Sequence, residues 1–222
     1  MGSSQLELAG IERVFKLGLA FTPVSIGLAA LRTQGTTLPA MARRLGLTGK
    51  AQTRFGHEFN PHVGNEAELG LPLDQRTIAN ELHDVGYATA LIGKWHQGFD
   101  KAHHPNSRGF DEFFGFLVGG HNYAQHPDAD PEFGSAHSHN MIYRGDKLQK
   151  LDGFLTDIFT DEAIGYMERN KQKPWMLYLA YNAVHTPLEI SPKVAARIPA
   201  DVKDPARKGY LALLLGLDDA IG

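Results

Sequence analysis

The spacing of apolar residues first marks a helix that leads into a strand. Over residues 77–85 the apolar side chains recur at helical intervals, and Gly86 stands where a helix C-terminal cap is expected. Residues 87–92 then form a short run of apolar and small residues. Such a run, bounded by glycines, is typical of a buried strand. We therefore predict a helix over 77–85 and a strand over 87–92.

The same order of elements recurs later in the chain. Residues 156–170 carry apolar side chains at the spacing of an amphipathic helix, at Ile158, Phe159, Ala163, Tyr166 and Met167. Residues 174–181 follow as a nearly unbroken apolar run, which is typical of a strand that is buried on both faces. The pattern predicts a second helix and a second buried strand.

Two further elements complete the pattern. Residues 140–151 alternate around Arg144-Gly145-Asp146 and predict a structural hairpin. Residues 210–222 predict a helix, with an apolar face formed by Tyr210, Leu213, Leu214, Leu217 and Ile221.

The two helix-then-strand units indicate a doubly wound α/β domain. In such a domain parallel strands end at one edge of the sheet, and ligands bind at that edge. Lys94 and His96 follow the first strand, and His185 follows the second. We expect these three side chains to lie at the same sheet edge, where a fixed cation beside imidazoles suits an anionic substrate.

Composition narrows the classes of partner. The 222 residues are 42% hydrophobic and 21% charged, as in an ordinary globular protein with one sizeable core. The net charge of −3, with scattered lysines and arginines, gives no basic footprint for nucleic acid. We expect neither a nucleic-acid partner nor a membrane partner, since no apolar run is long enough to span a bilayer.

Targeting and redox signals are sparse. The first residues lack a basic start followed by an apolar stretch, so no signal peptide is visible and the compartment stays unknown. The chain contains no cysteine, which excludes disulfides and thiolate metal sites.

Four segments carry a resemblance to a known family. They are Gly-Tyr-Ala-Thr-Ala-Leu-Ile-Gly-Lys-Trp-His at 86–96, Arg-Gly-Phe-Asp-Glu-Phe-Phe-Gly-Phe at 108–116, Asn-Ala-Val-His-Thr-Pro at 182–187, and Arg-Phe-Gly-His-Glu-Phe-Asn-Pro at 54–61. Taken in their order along the chain, the four segments resemble the arylsulfatase-like sulfatases of the alkaline phosphatase superfamily. The resemblance implies an alkaline phosphatase-like three-layer α/β sandwich with a mainly parallel central sheet, incomplete at both ends.

The resemblance also implies residue roles. Lys94 matches the lysine that contacts the sulfate and a formylglycine oxygen, and His96 matches the histidine that holds the formylglycine hydroxyl and takes its proton. His185 matches the histidine that binds sulfate and assists the leaving oxygen. Arg43 matches the arginine of the family's Cys/Ser-x-Pro-x-Arg motif and is expected to bind substrate. Taken singly, a surface lysine and loop histidines are the plain alternatives.

The catalytic aldehyde of the family has no precursor in this chain. Counting back from Leu-Thr-Gly-Lys at 47–50 places Pro39 at the nucleophile position, and no serine is followed by x-Pro-x-Arg. Formylglycine is therefore not possible here.

The family's calcium ligands are equally hard to recognise. Paired aspartates are missing from residues 1–20, and Asp218-Asp219 falls on the last predicted helix. Calcium is expected for the family, but we assign no metal ligand. The remaining histidines are interpreted as loop residues rather than a metal site: His103, His104, His121, His126, His137 and His139.

The resulting expectation is a partial sulfatase. We expect a degenerate N-terminal segment over 1–46 and a truncated sulfatase α/β domain over 47–222, lacking the C-terminal part. Trp95 is expected to pack beneath its loop and residues 109–120 to be scaffold. The family hydrolyses sulfate esters of small molecules or carbohydrates, and we expect this chain to be weakly active or inactive. The alternatives are a non-enzymatic, decayed or truncated module that binds anions or a protein partner, and a phosphodiesterase or phosphonate hydrolase of the same superfamily.

Overall fold

A computed structural model of the protein describes residues 26–29, 46–55, 70–125 and 141–222. The strands of its central sheet are β1 (Ile26–Ala29), β2 (Ala88–Lys94), β3 (Glu112–Phe116), β5 (Ile142–Arg144), β6 (Lys147–Gln149) and β8 (Trp175–Ala180). A separate pair is formed by β4 (Ala124–Gln125) and β7 (Gly153–Phe154). The α-helices with assigned bounds are α1 (Ile78–Asp84), α2 (Leu155–Asn170), α3 (Pro192–Ala195) and α4 (Pro205–Ile221), and short 3₁₀ turns cover Gln52–Phe55 and Pro105–Arg108.

The sheet is mainly parallel, as predicted. Its strands lie in the order β1-β8-β2-β3-β5-β6, and the first four of these are parallel to one another. The β5–β6 hairpin joins the sheet antiparallel to β3. Because β8 lies directly beside β2, the carboxyl ends of the two strands meet at one edge.

Helix α1 and strand β2 form where the apolar spacing predicted them. The side chain of Thr77 caps α1 by accepting a hydrogen bond from the Asn80 amide at 3.2 Å. Ala79 is buried, whereas Val85, which was predicted on the apolar face with Ile78 and Leu82, is 69% exposed. Strand β2 runs two residues beyond the predicted end and includes Lys94.

Two hydrophobic clusters place the sheet between helical layers. On one face, Ile92 and Phe114 pack with Phe159 of α2 and Leu213 of α4. On the other face, the core is formed by a second set: Leu47, Ala79, Leu91, Trp95, Phe110, Phe113, Met176, Tyr178 and Ala180. Alternate residues of β2 therefore enter opposite cores, which explains why its sequence is apolar throughout. The predicted three-layer α/β class is confirmed.

Three details differ from the sequence expectation. Strand β1 lies within residues 1–46, which we expected to be degenerate, and pairs in parallel with β8. Helix α4 begins at Pro205, five residues earlier than predicted, and is capped by Asp204, whose carboxylate accepts from the Arg207 amide at 2.9 Å. Ile221, predicted on its buried face, is 57% exposed. No helix in the described ranges is both long and apolar enough to cross a lipid bilayer.

Candidate functional site

Glycine at position 93 sets the backbone position from which β2 delivers its last residue. Gly93 has a φ of +114° and is paired in register with Ala180 of β8 and Gly115 of β3. A Cβ atom at this position would clash with the Ala180 carbonyl oxygen. Three backbones thus approach closely just before Lys94, and only glycine fits this conformation and this space.

Lys94 is held inside the loop that follows β3. Lys94 is only 3% exposed, and its Nζ donates a hydrogen bond to the carbonyl oxygen of Gly119. An ammonium group has three N–H donors in total. The Gly119 contact fixes the direction of the lysine at the carboxyl edge of the sheet.

The residues after Lys94 are anchored by a buried indole. Trp95 is fully buried, donates from Nε1 to the His103 carbonyl at 2.9 Å, and meets Phe110 edge-on at 5.9 Å between ring centroids. Its predicted packing role is confirmed. The next residue, His96, has a φ of +56°, and its amide donates to the Leu117 carbonyl at 3.0 Å. The backbone therefore turns sharply and aims the imidazole at the loop after β3.

Gly119 and Gly120 form the common contact of the three candidate residues. A Cβ on Gly119 would lie 3.0 Å from Cε1 and Nε2 of His96. A Cβ on Gly120 would lie 3.1 Å from Cε1 of His185. The structure thus brings Lys94, His96 and His185 to one pair of adjacent glycines, as their shared sheet edge predicted.

His185 lies on an exposed turn directly after β8. Its amide donates to the Asn182 carbonyl at 2.9 Å, and Nδ1 lies 2.7 Å from the Thr186 carbonyl oxygen. A carbonyl only accepts, so the proton of this hydrogen bond is on Nδ1. In the neutral ring, Nε2 is then the atom that can take up a proton.

Two residues that support this turn were missed by the sequence analysis. Tyr123 is fully buried and its hydroxyl donates to the His185 carbonyl at 2.9 Å. Glu189 accepts, through Oε2, from the amides of Tyr123 at 3.1 Å and Ala124 at 2.7 Å. Neither residue belongs to a recognisable motif, and nothing in their spacing marks them.

Comparison with known proteins now identifies the family. The family model described as Sulfatase matches residues 31–222, starting inside the segment that we expected to be degenerate. The chain belongs to the sulfatase family. Arylsulfatase J of Mus musculus is 35% identical over 179 residues, which are 79% of this chain and 29% of that protein. The uncharacterized sulfatase YdeN of Escherichia coli K12 is 29% identical over 209 residues, covering 80% of this chain and 34% of its own length.

Solved structures agree with this assignment. The crystal structure of Ps i-CgsB in complex with k-i-k-neocarrahexaose is 35% identical to this sulfatase-family chain and has a TM-score of 0.74. The match covers 82% of this chain and 42% of that structure. The chain thus spans less than half of that solved relative and, at 29% and 34%, about a third of the two curated ones.

Several of the remaining candidate residues lie outside the described ranges. Arg43 is one of them, as are His126, His137 and His139. Of the others, His103 is within 2.8 Å of Asp100 through Nδ1, and Nε2 of His104 lies 3.1 Å from the Gly145 carbonyl. These contacts are consistent with structural roles.

The described residues do not fit a calcium ion. Within residues 26–29, 46–55, 70–125 and 141–222, no three His, Asp or Glu side chains come close enough together to hold a metal. Asp218 and Asp219 lie on α4, where Asp219 pairs with Arg197. Calcium binding favours several converging oxygen ligands, so we derive no chemical step through calcium.

The Arg-Gly-Phe-Asp motif has a structural role in this sulfatase-family chain. Arg108 is 4% exposed and donates to the carbonyls of Pro72 at 3.0 Å and Gln75 at 2.6 Å. The Asp111 carboxylate accepts from the Thr89 amide at 2.9 Å. The first part of segment 109–120 is scaffold, as predicted, while its last two glycines contact the candidate site.

Proposed function

We propose that the carboxyl edge of this sheet is the cation and imidazole side of a sulfate ester hydrolase site. The observation that carries the proposal is the meeting of Lys94, His96 and His185 at Gly119–Gly120 in a sulfatase-family chain. All three side chains are of types that can bind or protonate an anion.

Sulfated carbohydrates are the proposed substrate class. Ps i-CgsB was solved with a neocarrahexaose, and BT4656 was solved with its substrate D-glucosamine-2-N,6-O-disulfate. A further relative is the N-acetylgalactosamine-6-sulfatase of Canis lupus familiaris, 29% identical over 158 residues. These names support a sugar sulfate as the substrate class.

Lys94 is the proposed contact for the sulfate oxygens. The Gly119 carbonyl holds the ammonium group in one direction at the sheet edge. A charge that is positioned before the ligand arrives costs little reorganisation when negative charge develops on the sulfate.

The two histidines are the proposed proton carriers. When the ester S–O bond breaks, the alcohol oxygen leaves with the electron pair and needs a proton. His185 is exposed and, when protonated, donates from Nε2 because Nδ1 is engaged with Thr186. His96, whose imidazole lies close to Gly119, is proposed to exchange a proton with the group that attacks sulfur.

Turnover by this 222-residue sequence is proposed to be weak or absent. The sequence has no cysteine and no Ser-x-Pro-x-Arg, so the family's aldehyde nucleophile cannot form in it. Losing one member of a catalytic set that acts as a unit removes orders of magnitude in rate. Binding of sulfate, rather than its release, is therefore the activity to measure. The non-enzymatic alternative gains no support from the family match.

The test is a titration of the full chain with sodium sulfate and with sodium phosphate at constant ionic strength. We expect sulfate to bind with a Kd on the order of millimolar, and Lys94→Met to weaken it at least tenfold. Lys171→Met, which removes an exposed lysine paired with Glu168 between the end of α2 and the start of β8, is the control and should leave the Kd unchanged. An unchanged Kd in Lys94→Met contradicts the proposal. Release of 4-nitrophenol from its sulfate ester should stay at background.

A further inference from the structure

A buried tyrosine on the loop after β3 supports the His185 turn. The Tyr123 hydroxyl donates to the His185 backbone carbonyl at 2.9 Å, across 62 residues of sequence. Tyr123 is fully buried, and burial raises the pKa of Tyr123, so the hydroxyl stays a neutral donor.

Tyr123 is itself fixed from a second direction. Its ring stacks on Phe154 with 5.4 Å between the centroids, and its carbonyl accepts from the Leu155 amide at 2.7 Å. Leu155 is the first residue of α2, so Tyr123 is tied to a long, well-packed helix. A group that is held by two independent contacts is a suitable support for a turn that is otherwise exposed.

Glu189 closes the arrangement from the other side of the turn. It lies four residues after His185, and its Oε2 accepts from both the Tyr123 and the Ala124 amides. Hydrogen bonds to an ionised carboxylate are stronger than those between neutral groups. The segment from His185 to Glu189 is therefore pinned to Tyr123–Ala124 at both of its ends.

This pinning sets the distance between His185 and Gly120. The imidazole carbon Cε1 would lie only 3.1 Å from a Cβ on Gly120, three residues before Tyr123. Asn182 adds a further link, since its Nδ2 donates to the His121 carbonyl at 2.7 Å. The loop that holds Lys94 through Gly119 is thus the same loop that receives the His185 turn.

We propose that Tyr123 and Glu189 are positioning residues for His185, which hold its imidazole at the Gly119–Gly120 loop in the tautomer protonated on Nδ1. This inference rests on the proposed function for its consequence in binding, but its structural part is testable without any ligand. Neither residue contacts the ligand; both act through the backbone of the turn.

The first experiment measures the turn itself in the full chain. Three variants are compared: Glu189→Ala, Glu189→Gln and Tyr123→Phe. We expect Glu189→Ala and Tyr123→Phe to speed amide exchange at His185 about tenfold, while the Trp95 amide, bonded to the Phe116 carbonyl, is unaffected. Glu189→Gln keeps an acceptor oxygen and should restore most of the protection.

The second readout is the ¹⁵N spectrum of the His185 ring. In the wild-type chain we expect the signals of the Nδ1-protonated form, and in Glu189→Ala a mixture with the Nε2-protonated form, because the turn no longer fixes the Thr186 carbonyl. Glu168→Ala and Tyr143→Phe are the matched controls, since Glu168 pairs with Lys171 three residues away and Tyr143 lies on β5, where its hydroxyl donates to Sδ of Met141. Wild-type exchange and tautomer in both Glu189→Ala and Tyr123→Phe would overturn the proposal.

A sulfate titration of the same variants separates this proposal from the proposed function. If the wild-type chain binds sulfate, Glu189→Ala should raise the Kd about tenfold, and an unchanged Kd overturns the positioning role. If the wild-type chain binds no sulfate, the proposed function fails. The amide exchange rate and the tautomer of His185 then still decide whether Tyr123 and Glu189 position its imidazole. If Glu189→Ala does not fold, the same measurements on Tyr123→Phe, which removes a single oxygen atom, decide the question.

Discussion

The parallel strands β2, β3 and β8 carry polar residues with different roles at their amino and carboxyl ends. At the amino end, Asp111 accepts from the Thr89 amide, and the Thr89 hydroxyl donates to the Gly109 carbonyl at 2.7 Å. At the carboxyl end, Lys94 and His185 bond instead to the loop carbonyls of Gly119 and Thr186. The amino end joins two strands to each other, whereas the carboxyl end presents cationic and imidazole groups on a glycine loop.

The amino end of the strands also carries a cleft. A cleft of about 400 Å³ lies at the amino end, lined among others by His83, Thr89 and Asp111. Its polar groups already bond one another: His83 lies 3.3 Å from Asp111, and Asp111 is engaged with Thr89. The same family motif thus contains residues with structural roles and residues of the candidate site. The groups to which a residue bonds, rather than its membership in the motif, distinguish the two.

The largest expected effect tests the close approach at the carboxyl end of β2. Gly93→Ala places a Cβ against the Ala180 carbonyl at a φ of +114° and should destabilise the fold by roughly 3 kcal/mol or more. Gly86→Ala, at the amino end, has a φ of +89° but open space around it, and should cost only about 1 kcal/mol. Urea unfolding of both variants gives the comparison. Equal costs would show that backbone conformation alone, and not the approach of β8, requires Gly93.

The next effect separates stability from binding. Asp111→Ala removes the acceptor of the Thr89 amide and should cost about 2 kcal/mol of unfolding free energy. Sulfate affinity should stay the same, because the change lies at the end of the strands away from Lys94. Asp201→Ala, in an exposed loop, is the control and should be within about 0.5 kcal/mol of wild type. A loss of sulfate binding in folded Asp111→Ala would contradict the division between the two ends.

The smallest effect is a pH dependence at the Arg144–Glu162 ion pair, which lies beside the middle of β3. Two hydrogen bonds from Arg144, at 2.9 and 2.7 Å, lower the pKa of Glu162. A carboxyl group with a lowered folded-state pKa stabilises the fold above its unfolded pKa, and this contribution is lost as the pH falls through the folded-state value.

The measurement is urea unfolding of wild type and Glu162→Gln across pH. The difference should be about 1–2 kcal/mol at pH 7 and should shrink below about pH 4.3, the ordinary pKa of a glutamate. Glu168→Gln, whose exposed carboxylate pairs with Lys171, is the control for titration of surface groups. A difference that grows toward low pH would reverse the assigned sign.

The parts of the fold that follow local rules were predictable. Helix α1 has a capping threonine and helical apolar spacing, and β2 and β8 are apolar runs because both of their faces are buried. The early start of α4 was also readable, since Asp204-Pro205 is an N-cap followed by proline at the first helical position. Strand β1 was not, because four residues of Ile-Gly-Leu-Ala carry too little pattern to be told from a turn.

The sequence by itself determined which residues stand at the ends of buried strands, and so it found Lys94, His96 and His185 and the family to which the chain belongs. Only the tertiary structure decided what holds them. Gly119 receives Lys94, Gly120 lies against His185, and Tyr123 and Glu189 support the turn across separations of 62 and 66 residues. These contacts arise because β8 packs beside β2 and the loop after β3 folds over both, and no local spacing in the chain encodes that meeting.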